Sequence, residues 1–259
     1  MFFNRSNKKI KSNYLFVIGS GRSGTHFIGR AIGKHPQVEL FLEETENFRL
    51  VKEVAILEKG EKYQSRLVKR YKKLQKISKQ PWILEKSHPN IWLTEGLLSN
   101  FPDSYFIGMQ RDLYQIVSSM LNHDRKKNVR TWFDILPTNK CSRFLGINDY
   151  NISYYKDLPI EAKCVIRWLS HTFELERLKK EYPDKVFIFD YSIFCENFES
   201  ELFKIEQLTA LNLKEYAERP KSESLQKFKN LTNEQIKIID ETFQKEKIFF
   251  EKIYKEKNN

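Results

Sequence analysis

Apolar residues recur along this chain in two rhythms. Four short runs rich in β-forming residues, Tyr14–Ile18, Trp82–Leu84, Tyr105–Met109 and Lys185–Phe189, predict strands. Apolar positions spaced by three and four predict helices at Thr25–Lys34, across Asn47–Lys79, and at Ile91–Asn100, Tyr114–His123, Ile160–Tyr182, Glu199–Leu208 and Glu234–Tyr254. Pro36, Pro81, Pro89, Pro102, Pro159 and Pro183 mostly fall at the boundaries. Strands alternating with helices predict an α/β fold of three layers, a central parallel sheet flanked by helices. No repeat or low-complexity linker interrupts the pattern, so residues 1–259 read as a single domain. Asp124–Leu158 has no clear period and is rich in aromatic and basic residues, as functional loops above a rigid sheet often are.

Composition narrows the class. Hydrophobic residues at 40% are enough for a sizeable core, and three dispersed cysteines give neither a disulfide framework nor a zinc spacing. The expected compartment is reducing. The first thirteen residues, MFFNRSNKKIKSN, do not make a signal peptide, and no run approaches a membrane span, so a cytoplasmic location is expected. The net charge of +11 favours an anionic partner. Eight lysines and arginines lie between Lys62 and Lys79, which reads as the solvated face of one helix. Nucleic-acid binding would call for stacking aromatics or a recognisable module, and neither is visible, so no nucleic-acid partner is expected.

The first strand runs into GSGRSGTH and then a helix, the layout of a phosphate-binding loop. The Walker pattern asks for Lys and Ser/Thr where this chain has Thr25 and His26. The cation sits inside the loop instead, as Arg22. Gly19, Gly21 and Gly24 give the backbone its freedom, and the start of the helix aims N–H groups at an anion. The expectation is a P-loop-like site for an anion held by arginine and backbone without a metal. The other strand ends read EKSHP, QRD and DYS. All are polar, as suits a site built at the carboxyl edge of a parallel sheet.

The stretch GSGRSGTHFIGRAIGKHPQV resembles the 5′-phosphosulfate loop of the sulfotransferase family, whose donor is 3′-phosphoadenosine 5′-phosphosulfate (PAPS). Arg22, Ser23, Gly24, Thr25, His35, Pro36 and Val38 match that pattern, and His26 stands where relatives carry a second threonine. Arg111 at a strand end, with Ser119 eight residues on, is similar to the family's 3′-phosphate site, although Leu113 and Tyr114 replace its usual Pro and Arg. A third stretch, IRWLSHTFELERLKKEYPDKVFIFDYS and the helix after it, places Tyr191 at the family's nucleotide-side tyrosine.

The resemblance implies sulfuryl transfer from PAPS to a hydroxyl or amine acceptor by in-line displacement, with a general base and no metal. It implies donor contacts at Gly21, Arg22, Ser23, Gly24, Thr25, His26, Arg111, Ser119 and Tyr191, and a closing loop at Lys221 and Ser222. Arg22 and Lys86 are the electrostatic candidates. The base is left between Glu44, where the family's E-E-T element aligns, Glu43, where an ungapped count lands, and His88, which mimics a K-T-H element; Glu44 leads. Residues 47–80 and 124–158 match nothing in the family and would form the acceptor side. The acceptor could be a carbohydrate, a tyrosine, a lipid or a small molecule, and the oligomeric state is not legible. The competing readings are a P-loop kinase or related nucleotide phosphotransferase, and a non-enzymatic basic nucleic-acid-binding module.

Overall fold

The computed structural model describes residues 11–122 and 130–256. Five parallel strands form one sheet: β1 (Asn13–Gly19), β2 (Val38–Leu42), β3 (Trp82–Lys86), β4 (Tyr105–Gln110) and β5 (Val186–Asp190), in the order β2-β3-β1-β4-β5. The fold is α/β, as the alternation predicts. The four expected strands are present within a residue or two. β2 is the one the pattern does not announce. It is an edge strand, its VELFL run is mostly half-buried, and Glu39 breaks the apolar signal.

Side chains alternate along β1 and so divide the core. Tyr14, Phe16 and Ile18 face one layer, packing with Leu67, Tyr71 and Leu74 of α3 (Glu61–Ile77). Leu15 and Val17 face the other, against Ile28 and Ile32 of α1 (Thr25–Gly33) and Phe194 of α8 (Tyr191–Glu196). A third cluster joins α5 (Leu113–Leu121), α7 (Ile160–Glu181) and α10 (Asn233–Glu256) with Phe133, Phe144 and Tyr155 from the aperiodic stretch.

The single helix expected across Asn47–Lys79 is divided. α2 (Thr45–Val51) continues into a π-helical turn at Lys52–Ile56, and the chain then breaks at Glu58 and Gly60, both with positive φ, before α3 begins. α3 therefore covers the sheet with one face, while Lys62, Arg66, Lys69, Lys72, Lys73 and Lys76 are exposed on the other. The first half of the stretch expected at Ile91–Asn100 is a 3₁₀ turn, His88–Leu93, with Pro89 near its start, and α4 (Thr94–Asn100) follows. The helix expected at Tyr114–His123 is α5; His123 lies outside the described residues, as do the first ten residues of the N-terminal stretch. No described helix is long and apolar enough to cross a membrane.

Candidate active site

The strand order makes β1 central, so the loop after it lies between the ends of β3 and β4. The loop is held from within. Ser23 is fully buried, and its hydroxyl donates to the Ser20 carbonyl at 2.7 Å, which spends that side chain on loop shape. Gly24 precedes α1 with φ of 100°, and a Cβ there would meet the Tyr191 ring at 2.4 Å. Glycine is thus what lets Tyr191 close against the loop. Arg22 has φ of 78°, a conformation that costs a side-chain-bearing residue and is met mostly at functional sites. The first N–H groups of α1 have no intrahelical partner and face the mouth of the loop.

A cleft of about 170 Å³ opens over this loop, lined by Arg22, Gly24, Thr25, His26, Phe27, Arg111, Ser119 and Tyr191. The Arg22 Nε donates to the Ser119 hydroxyl at 3.2 Å, so the loop is tied to the last turn of α5. The Arg111 guanidinium lies over the Tyr191 ring at 4.8 Å, donates to Gln115 Oε1 at 3.0 Å and reaches the Arg22 carbonyl at 3.4 Å. Burial lowers the pKa of both arginines. Both remain cationic at neutral pH, given where a guanidinium starts. A neighbouring cleft of about 420 Å³ shares Arg22, Phe27 and Tyr191 and adds Arg30, Arg219, Lys221 and Lys34, the last paired with Glu218 of the same wall. Lys221 is therefore beside the loop; the side chain of Ser222 lies outside the described ones. Gln115, Arg30, Lys34 and Arg219 escaped the sequence reading. The spacing of Arg30 and Lys34, one turn apart on α1, was the one available signal for the middle pair.

At the other end of the loop three side chains meet around Glu43. Its Oε1 accepts from Lys86 Nζ at 2.5 Å and lies 3.1 Å from His88 Nδ1; its Oε2 is 3.5 Å from His26 Nε2. Lys86 also donates to His26 Nδ1 at 2.9 Å. The imidazole at position 26 thus accepts the buried ammonium, an answer to the departure from threonine. Burial acts to raise the Glu43 carboxyl, but the hydrogen bond from His88 and the charge of Lys86 outweigh it and hold the carboxyl far below the usual range. Burial pushes His88 and His26 down to about 4, helped by the charge of Lys86. Both imidazoles are neutral at pH 7. With Nδ1–H of His88 committed to Glu43, its Nε2 carries the free lone pair, and this buried nitrogen has no hydrogen-bond partner.

Glu44 is not in this group. Its carboxylate caps α2 by accepting from the N–H groups of Glu46 and Asn47 at 3.2 and 2.9 Å, and Arg70 stands 3.6 Å away. The difference between neighbours turns on backbone. Glu43 has φ of 50°, a local twist that sends its side chain to Lys86 while Glu44 begins the helix. Spacing alone carries no trace of that twist.

Gly21 has Nη2 of Arg167 and Nε2 of His88 on its bare flank, both near the position a Cβ would take. Phe144, from the aperiodic stretch, has its ring centroid 6.3 Å from that of His88, and Phe48 of α2 is 6.1 Å away on its own side. Residues from both unmatched segments therefore border the imidazole. Among the described residues no group of three metal-ligating side chains is gathered.

No protein-family model matches the chain, and no curated protein sequence does. Solved structures do. The chain is similar to the sulfotransferase domain of the Synechococcus PCC 7002 olefin synthase, with a TM-score of 0.53 at 13% identity over 93% of this chain and 98% of that one. It is similar to sulfotransferase STF1 of Mycobacterium tuberculosis H37Rv, with a TM-score of 0.52 at 13% identity over 90% of this chain and 76% of that one. A sulfotransferase of Alicyclobacillus acidocaldarius gives 0.52 at 11% identity, over 90% and 96%. At such identities the likeness speaks for architecture, and the architecture of this chain is the sulfotransferase fold.

Proposed function

We propose that the protein transfers a sulfuryl group from PAPS to a hydroxyl acceptor. The observation that carries this reading is the cationic cleft over the loop, walled by Arg22 and Arg111, whose lining residue His26 is linked through Lys86 and Glu43 to a neutral imidazole with a free nitrogen. The residues present fit the donor. Arg22 and the N–H groups opening α1 suit its 5′-phosphosulfate, and the Arg111–Ser119 pair suits its 3′-phosphate. The Tyr191 ring and the basic edge at Lys221 suit the nucleoside side.

PAPS supplies an activated sulfur–oxygen bond, and the chain supplies position, charge and a base. His88 Nε2 takes the proton of the acceptor hydroxyl as its oxygen bonds to sulfur, and the bond from sulfur to the 5′-phosphate oxygen breaks. Lys86 and Arg22 offset charge gathering on that leaving oxygen. Glu43, held fully ionised, keeps His88 in the tautomer with its lone pair outward and stabilises the imidazolium that forms, the role a buried carboxylate plays in a catalytic triad. The base in this reading is His88, with Glu43 as its orienting partner, and Glu44 belongs to the helix.

Calorimetric titration with 3′,5′-diphosphoadenosine and with ATP, each with and without Mg²⁺, tests the reading. Tight binding of the diphosphate that ignores Mg²⁺, weakened at least tenfold by Arg111→Ala, is expected. Preference for Mg-ATP would turn the assignment toward a kinase. Binding of neither nucleotide, with salt-sensitive nucleic-acid binding instead, would turn it toward a basic binding module.

A further inference from the structure

Arg167 is a charge the reaction as described does not use. α7 carries it inward until only 3% is exposed. Its Nε has no hydrogen-bond partner, and it forms no ion pair among the described residues. The titratable groups that act on it most, Cys164 and Tyr155, are buried with their pKa values pushed up, so neither supplies counter-charge. What it has is the face of Phe144, 4.4 Å below the guanidinium. Desolvating a guanidinium costs far more than a phenyl face returns. A fold that keeps such a group normally has an anion for it.

Two distances say where that anion would lie. Nη2 of Arg167 stands 3.4 Å from the point a Cβ on Gly21 would occupy, and Nε2 of His88 stands 3.5 Å from the same point. The unpaired cation and the free basic nitrogen therefore lie together against the bare flank of Gly21 in the loop. His171, one turn further along α7, adds another buried nitrogen without a partner, its ring edge-on to Trp92 and Phe144.

We propose that Arg167 is the specificity residue for the acceptor, and that the acceptor carries an oxyanion (carboxylate, sulfate or phosphate) close to its reacting hydroxyl. The inference rests on the sulfuryl-transfer reading for what happens at His88. The guanidinium takes the oxyanion through charge-assisted hydrogen bonds, which fixes the hydroxyl at Nε2. A neutral alcohol leaves the guanidinium buried and unpaired, and is discriminated against for that reason.

The test is titration of protein saturated with 3′,5′-diphosphoadenosine, which fills the donor's own anion sites. Phenylacetate is compared with its neutral isostere phenylacetamide, and sulfate and inorganic phosphate serve as separate arms to tell which oxyanion fits. The carboxylate or an inorganic anion is expected to bind about tenfold to a hundredfold tighter than the amide, the reach of a charge-assisted hydrogen bond. Arg167→Gln is expected to erase that preference, and Arg167→Lys to restore part of it. Equal binding of anion and amide, binding of neither, or a preference that survives Arg167→Gln overturns the proposal. Should the Arg167 variants fail to fold, the anion–amide comparison on the unaltered protein decides alone. Failure of the diphosphate itself to bind counts against the donor assignment instead; the share of anion binding that Arg167→Gln removes, measured without it, then still reports on Arg167.

Discussion

At the residue scale the sharpest contrast is between Glu43, Glu44 and His88. A base needs an available lone pair, and the strongly depressed Glu43 carboxyl has its Oε1 committed to Lys86 and His88. His88→Gln is expected to lower turnover by about a hundredfold to ten-thousandfold while diphosphate binding persists, the usual span for loss of a positioned base. Glu43→Gln should also lower turnover, because a neutral amide no longer selects the tautomer. Glu44→Ala should act on stability instead, costing on the order of 1 kcal/mol through loss of a helix cap. Thermal melts and initial rates on the three variants separate these effects; a dead Glu44→Ala beside an active His88→Gln would reverse the assignment. The sequence displayed all three residues. It did not display the positive φ at Glu43, which decides which neighbour faces Lys86.

At the element scale, the readable parts were those where one local rule governs. β1, β3 and β4 are apolar runs because both faces of the inner sheet are covered, β5 stays apolar at the far edge because helices pack on both its faces, and the helices keep their period because one face packs. β2 was hidden by the half-burial of its VELFL run and by Glu39, and the break before α3 by helix-forming neighbours of Glu58 and Gly60. Arg167 was hidden for a different reason. In IRWLSH an arginine reads as the solvated side of a helix, and only the packing of Phe144 and Gly21 around α7 puts it inside. The strand–loop–helix unit itself makes a prediction. Gly24→Ala places a Cβ against the Tyr191 ring at a φ suited to glycine, so a loss of about 1–3 kcal/mol and weakened diphosphate binding are expected. Unchanged melting and affinity would mean Tyr191 does not close on the loop.

At the scale of the whole molecule, buried titratable groups make folding sensitive to acid. Burial holds His26 and His88 down to about 4, and His171 well below its ordinary value. Unfolded, each would titrate near 6.5. The stability they confer is complete above about pH 6.5 and is lost as pH falls toward 4. Glu85 has the opposite sign. Burial raises its carboxyl to about 7, so its contribution is complete below about 4.5 and is lost as pH rises through 7. The buried imidazoles of His88 and His171, with a smaller share from the half-exposed His26, outweigh one carboxyl, and the melting temperature should fall between pH 6.5 and 5. A flat or rising profile there, by calorimetry, would contradict the neutral buried imidazoles.

The edge position of β2 has a kinetic corollary. Glu43 follows directly on that strand, and its N–H donates to the Lys86 carbonyl at 2.9 Å while its side chain holds Lys86 and His88. One peptide link thus joins the strand margin to the imidazole. Margins of sheets open locally more often than their centres. Each such opening would release His88 from its tautomer without unfolding the rest, so the amide-exchange lifetime of Glu43 is a clock for how long the assembly stays competent.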